Sequence, residues 1–78
     1  MPYRDRHPST RHFQPMFEYE HLPPDLREIS SAAATLAEFA VHTLQDGPEL
    51  TAGLRKLLEA KDCFVRQAVL DRQEADRG

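Results

Sequence analysis

A lysine inside an apolar pattern is the residue that most strongly indicates binding chemistry. At about 100° per residue, Lys61 falls on the centre of the helical stripe that begins with Leu50 and Leu54. A lysine ammonium is rarely buried without a partner. Two interpretations follow. The side chain reaches the rim or pairs with a carboxylate across two helices, or it faces an anionic ligand or a subunit junction.

Two arginines on a neighbouring face of the same predicted helix are further binding candidates, Arg55 and Arg66. A guanidinium group suits bidentate recognition of a phosphate. The alternative is a solvated ladder of ion pairs four residues apart, Arg55–Glu59 and Asp62–Arg66. Such exposed pairs contribute only about 0.3–0.5 kcal/mol each.

Tyr19 and His21 precede a predicted helix. An aromatic ring at this place either packs against the first helical turn or stacks on a nucleotide base. His21 is interpreted as a surface or capping histidine, with ligand binding as the alternative.

Catalysis has little support in the sequence. There is no Gly-rich phosphate loop, no HExxH motif and no Ser–His–Asp or Cys–His set on one predicted surface. His7 and His12 form a poor metal site, and Cys63 stands near acidic residues as well as Arg66. We therefore expect no enzyme, no catalytic residue, no metal site and no cofactor.

Length and cysteine content point to self-association. The chain has 78 residues, which makes one small domain that is marginally stable alone. One cysteine allows no internal disulfide. Because small folds gain stability from disulfides, metals or oligomerisation, we expect a homo-oligomer.

Charge and hydropathy restrict the partners. A formal net charge of −3 disfavours binding of DNA or RNA polymers, which need clustered cations, but allows a small phosphorylated ligand. No apolar run approaches a membrane span, and the N-terminus lacks a signal-peptide core. We expect no membrane partner and a cytoplasmic location.

Proline and glycine divide the chain into an arm and two helices. Residues 1–16 are rich in Arg, His and Pro, and predict a flexible arm that is extended or disordered. Residues 17–78 predict an all-α antiparallel helical hairpin, with helix one at about 24–45 and helix two at about 48–72. Between the helices, Asp46 and Glu49 form a capping-box-like pair.

The apolar arc of helix one is wider than one packing partner needs. Its main stripe runs along one face: Leu26, Ile29, Ala33, Leu36, Ala40 and Leu44. If the arm has a function, it packs on a neighbouring subunit through Phe13, Met16 and Phe17.

Three short pieces of the sequence together resemble a known family. They are Tyr19-Glu20-His21-Leu22-Pro23, the turn Leu44-Gln45-Asp46-Gly47, and Leu57-Leu58-Glu59-Ala60-Lys61-Asp62 through Arg66-Gln67-Ala68. The pattern resembles small phage proteins that share the hairpin domain of the anti-CBASS and anti-Thoeris sponges. The resemblance covers about residues 17–70.

The resemblance implies a homo-oligomer, commonly a hexamer, that sequesters cyclic di- or trinucleotides or related nucleotide signals. Such a viral protein acts in immune evasion, in the host cytosol, without cutting its ligand. Tyr19 matches the aromatic that stacks on a base, and Lys61 and Arg66 lie in the segment that lines inter-subunit pockets. Arg55 and His21 are further ligand candidates.

The sequence departs from the family in the middle of helix one. Members of the family carry a basic residue there that contacts phosphate, where this chain has Ala32-Ala33-Ala34. The nearest cation on helix one is Arg27, which becomes another ligand-binding candidate. The alternative function is a protein–protein interaction or oligomerisation module that docks on a host protein.

Overall fold

Helical segments follow one another along the chain in the computed structural model, which describes residue 3 and residues 5–77. They are α1 (Pro8–Arg11), a 3₁₀ helix (Gln14–Phe17), α2 (Pro24–Thr43) and α3 (Pro48–Arg77). No strand occurs in this part of the chain. The predicted all-α class is therefore confirmed.

Local signals explain where the two long helices begin. Pro24 and Pro48 each occupy a first helical position, where the missing N–H has no intrahelical partner to lose. Asp25 and Glu49 add negative charge in the first turns, which the helix dipole favours. Both predicted starting points are confirmed.

The helix ends differ from the predicted ones. α2 ends at Thr43 rather than near residue 45, because Leu44 has extended backbone and the side chain of Arg6 binds the Val41 and Leu44 carbonyls. α3 reaches Arg77 rather than residue 72, since the charged tail consists largely of good helix formers.

The predicted extended or disordered arm is wrong for the described residues of 1–16; residues 1, 2 and 4 lie outside the described residues, as does Gly78. Phe13 and Phe17 are 2 % and 4 % exposed, and Tyr3 is 3 % exposed. The three aromatic rings join the core of the same chain. Pro8 and Pro15 start helical turns, so these prolines shape the segment instead of keeping it open.

We call this segment, Tyr3 with residues 5–17, the N-terminal strap. It packs on a face of α2 formed by Ala34, Ala37 and Val41, together with Leu50 and Leu54 of α3. Small residues on α2 leave room for bulky rings, so this face becomes the core.

The predicted main stripe of helix one is only partly buried. Leu26 is buried, whereas Leu36 and Leu44 are 54 % and 52 % exposed. The strap binds the flanking face with Ala37 and Val41 instead, and leaves the main stripe largely open.

α2 and α3 pack against each other. Asp25 at the start of α2 pairs with Arg72 late in α3, with 3.5 Å between Oδ2 and Nε. Leu44 and Leu50, on either side of the connection, line one cavity. The molecule measures 48 × 21 × 17 Å. None of the helices in the described ranges is long and apolar enough to cross a membrane.

Candidate functional site

A groove between α2 and α3 is lined mainly by apolar side chains. Its volume is about 660 Å³, and no described residue of the strap lines it. Its apolar walls are Ile29, Ala32, Ala33 and Leu36 of α2 with Leu57, Phe64 and Ala68 of α3. A second cavity of about 280 Å³ shares Leu36 and Leu57, so the apolar surface continues towards the connection between the helices.

Large side chains stand exposed in this groove. Phe64 is 62 % exposed and Leu36 is 54 % exposed. The rim is polar and carries Glu28, Lys61, Gln67 and Asp71. An apolar floor with a polar rim is typical of an interaction surface.

Lys61 lies at this rim, and its ammonium has two partners. Nζ donates to the carbonyl oxygen of Met16 at 3.3 Å and lies 2.9 Å from Oδ1 of Asp62. The side chain is 13 % exposed. The paired carboxylate is therefore the next residue along α3, not one on the other helix as the first interpretation supposed. Lys61 also ties α3 to the strap.

The ladder of ion pairs predicted for Arg55 and Arg66 does not form among the described residues. Asp62 pairs with Lys61, and Arg66 donates from Nη2 to Sγ of Cys63 at 3.2 Å. Arg55 is exposed and lines a separate cavity of about 500 Å³ near the start of α3. Neither arginine lines the groove.

The remaining candidates lie near the start of α2. The Arg27 guanidinium donates to the carbonyl oxygen of Leu22 from Nε at 3.2 Å and Nη2 at 3.0 Å, and so braces the turn before the helix. His21 is exposed in that turn. Tyr19 is half-buried and lines a cavity whose walls include Glu18, Glu20 and Glu38. These carboxylates repel a phosphate in the isolated chain.

The structure therefore does not bring the six predicted ligand residues together in one chain. Lys61, Arg55 and Tyr19 each line a different cavity. A site that uses several of them needs more than one subunit.

A polar cluster that the sequence did not reveal joins the strap to the α2–α3 connection. Asp46 accepts from Oγ1 of Thr10 at 2.8 Å, from the His7 backbone N–H at 3.2 Å and from Nε of Arg6 at 3.2 Å. The Asp46 carboxylate thus accepts hydrogen bonds from the strap, instead of acting in the predicted capping pair with Glu49. Helical periodicity relates only residues that are close in sequence, so it does not predict a cluster of residues this far apart.

The cluster has electrostatic consequences for Asp46. The hydrogen bond from the Thr10 hydroxyl lowers the pKa of the Asp46 carboxyl, opposed in part by desolvation. The His7 backbone N–H and the Arg6 guanidinium lower this pKa further. Because Arg6 also binds the last carbonyls of α2, one guanidinium links the strap, the helix end and Asp46.

Comparison with protein-family models, with curated proteins and with solved structures gives no match to this chain. The described residues contain no group of three or more His, Cys, Asp or Glu side chains placed to hold a metal ion. The apolar groove with Lys61 at its rim is therefore the strongest candidate binding surface.

Proposed function

We propose that this chain is an antiparallel helical hairpin that assembles with copies of itself and sequesters a nucleotide signal between subunits. The ligand is a cyclic di- or trinucleotide or a related nucleotide, held without catalysis. The observation that carries the proposal is the open groove of about 660 Å³, an apolar surface on a chain too small to bury it internally.

The exposure of this surface supports self-association. Burying apolar area stabilises a complex by about 25 cal/mol per Å² before the costs of association. Phe64 and Leu36, each more than half exposed, would supply much of that area. A symmetric pair places the same groove on both sides of the interface. Phe39 of α2 is 65 % exposed and does not line the groove, so it offers a further apolar contact for higher symmetry, up to the hexamer that the resemblance implies.

The residues at the rim support nucleotide binding at a subunit junction. Lys61 supplies a cation beside apolar walls, and two subunits supply two such cations for the two phosphates of a cyclic dinucleotide. Arg66, little more than one helical turn further along α3, lies outside the groove of its own subunit and would add a guanidinium from across the junction. The resemblance over residues 17–70 supports this ligand class. A protein of this kind would lower the free concentration of an immune signal without destroying it.

The test joins oligomeric state to ligand binding. Light scattering on the purified chain is expected to show more than one subunit per particle. Calorimetry against a panel of cyclic di- and trinucleotides is expected to show heat for at least one of them. Ligand recovered by chromatography after incubation should be unchanged.

A variant pair then assigns the site. Lys61→Ala should weaken nucleotide binding about tenfold or more, as expected for loss of a charge-assisted contact. Lys56→Ala removes an equal charge from an exposed position of α3 outside the groove and should bind as the parent does. A well-folded oligomer that gives no heat with any nucleotide would contradict the proposal.

The charge of the groove rim favours a second candidate, a module that docks on a host protein. Glu28 and Asp71 both lie at the rim, and carboxylates beside an apolar floor complement an amphipathic helix with basic flanks. Under this alternative the chain stays monomeric, and a basic amphipathic peptide shifts the NMR signals of Phe64 and Leu36. In the variant Phe64→Ala, the peptide should no longer shift the signals of Leu36.

A further inference from the structure

A small cavity under the strap combines aromatic rings with carboxylates. Its volume is about 190 Å³, and it lies between the strap, the turn before α2 and α2 itself. Three aromatic residues line it, Tyr3, Phe17 and Tyr19, and so do three carboxylates, Glu18, Glu20 and Glu38. It is separate from the groove and shares no residue with it.

Tyr3 is the unusual member of this set. The residue is 3 % exposed, and its hydroxyl has no hydrogen-bond partner among the described residues. A buried hydroxyl without a partner destabilises a fold. Such a group in a folded chain calls for a partner beyond the described residues, either a water molecule or a ligand.

The negative charge of the cavity indicates that this partner is positively charged. Glu18, Glu20 and Glu38 form no ion pair within the described part of the chain. Burial raises the pKa of the Tyr3 phenol, and the negative charge of Glu38 raises it further. The phenol therefore stays protonated and close to a carboxylate, in surroundings that attract a cation.

We propose that this cavity binds the protonated primary amine of a small alkylammonium ligand. The faces of Tyr3, Phe17 and Tyr19 attract a cation. An –NH₃⁺ group has three N–H donors, and the cavity offers three acceptors for them: the Glu38 carboxylate, the Tyr3 hydroxyl and the side-chain amide of Gln14, which also lines it.

This site shares no residue with the groove, and its proposal does not rest on nucleotide binding there. The amine can belong to a small diamine or to the side chain of a lysine in a peptide, because both present the same ammonium group. Titration of the full chain with 1,4-diaminobutane and, separately, with an Nα-acetyl-lysine amide distinguishes the two sources. Chemical-shift changes at Tyr3, Phe17 and Tyr19 report the binding.

A matched ligand tests the hydrogen-bonded geometry. The N-trimethylated analogue of each amine keeps the positive charge and lacks the N–H donors. Loss of hydrogen bonds to a charged group is expected to weaken binding about tenfold. Equal or tighter binding of the trimethyl analogue would overturn the proposal, and so would the absence of binding by both primary amines.

Matched variants assign the acceptors. Glu38→Gln keeps the shape and removes the charge, and should weaken amine binding about tenfold. Glu59→Gln makes the same change at an exposed position of α3 outside the cavity, and should leave amine affinity unchanged. If both variants weaken binding equally, the amine responds only to net charge, and the assigned site is wrong.

Tyr3→Phe separates ligand binding from folding. The ring remains in the core, and only the unpartnered hydroxyl is lost, so the free energy of unfolding should stay equal or rise. Amine affinity should fall about fivefold, the loss of one hydrogen bond. Unchanged amine affinity in this folded variant would overturn the role given to Tyr3 and the proposed geometry.

Discussion

The two sides of the α2–α3 pair both carry apolar side chains, but those on one side are buried and those on the other are exposed. On the covered side, Phe13 and Phe17 of the strap are 2 % and 4 % exposed. On the open side, Phe64 and Leu36 are 62 % and 54 % exposed. The same two helices form both sides, so helix amphipathicity alone does not decide which surface becomes core.

Polar contacts account for part of the difference. The covered side ends in the cluster of Arg6, Thr10 and Asp46, which fixes the strap against the connection between the helices. Towards the open side, the described residues of the strap make a single hydrogen bond, in which the Met16 carbonyl accepts from Nζ of Lys61. A surface becomes core here because the chain supplies both rings to fill it and hydrogen bonds to hold them.

The largest effect is expected from truncating the covered side. Phe13→Ala should lower the free energy of unfolding by about 3–5 kcal/mol, the usual cost of removing a buried ring. Phe64→Ala, its counterpart on the open side, should change it by less than about 0.5 kcal/mol in the monomeric chain. Urea unfolding measures both.

A marginally stable chain can fail to fold after the first of these changes, so Phe13→Leu serves as a milder variant. It should remain folded and be destabilised more than Phe64→Leu. If the two variants lose the same free energy of unfolding in dilute protein, the distinction between a covered and an open side is wrong. A cost at Phe64 that grows with protein concentration would show that copies of the chain cover the groove.

Arg6→Ala should have the next largest effect. It removes the guanidinium bonds to the Val41 and Leu44 carbonyls and should lower the free energy of unfolding by about 1–2 kcal/mol. Hydrogen exchange should accelerate in residues 8–17 and in the last turn of α2. Arg11→Ala, at an exposed position of α1, is the control. Unchanged exchange in Arg6→Ala would show that the aromatic rings alone hold the strap.

A smaller, pH-dependent effect is expected at Asp46. Its folded-state pKa is lowered, chiefly by the Thr10 hydroxyl. The ionised carboxylate therefore stabilises the fold above the ordinary pKa of an aspartate, and this contribution disappears as pH falls through the lowered value. Thermal unfolding of the parent and of Asp46→Asn should differ at neutral pH and converge in acid. Curves that stay parallel down to strongly acidic pH would contradict this.

The smallest effect is expected at the Asp25–Arg72 pair. Both side chains are nearly half exposed, and exposed pairs contribute little in water. Arg72→Ala should change the free energy of unfolding by less than about 0.5 kcal/mol, and added salt should remove the difference. A larger, salt-resistant loss would show that the two helices depend on this pair more than on their apolar contacts.

The starts of α2 and α3 could be predicted because proline, glycine and acidic first turns act locally. Which face of α2 becomes core could not be predicted. The leucine positions of α2 favoured one face, and the rings of the strap selected the flanking face with Ala34 and Ala37. Pro8 and Pro15 were interpreted as signs of an extended or disordered arm, but each lies in the first turn of a short helix.

For the candidate site, the sequence located Lys61 within the apolar stripe but not its partners. One partner, Asp62, is the next residue in the sequence. The other, the Met16 carbonyl, belongs to the segment for which the sequence predicts an extended or disordered arm. Tyr19 was predicted as a base-stacking residue, a role that stays a prediction, and the acidic residues around it could not be foreseen because Glu38 comes from α2.

The contact between Arg6 and Asp46 also has a consequence for the order of folding. It spans 40 residues of chain, and the core that the strap joins includes Leu50 and Leu54. On the ribosome these partners emerge well after the strap, and closing so long a loop has an entropic cost that must be offset by contacts already formed. A segment that is synthesised before both long helices is therefore among the last to reach its native position.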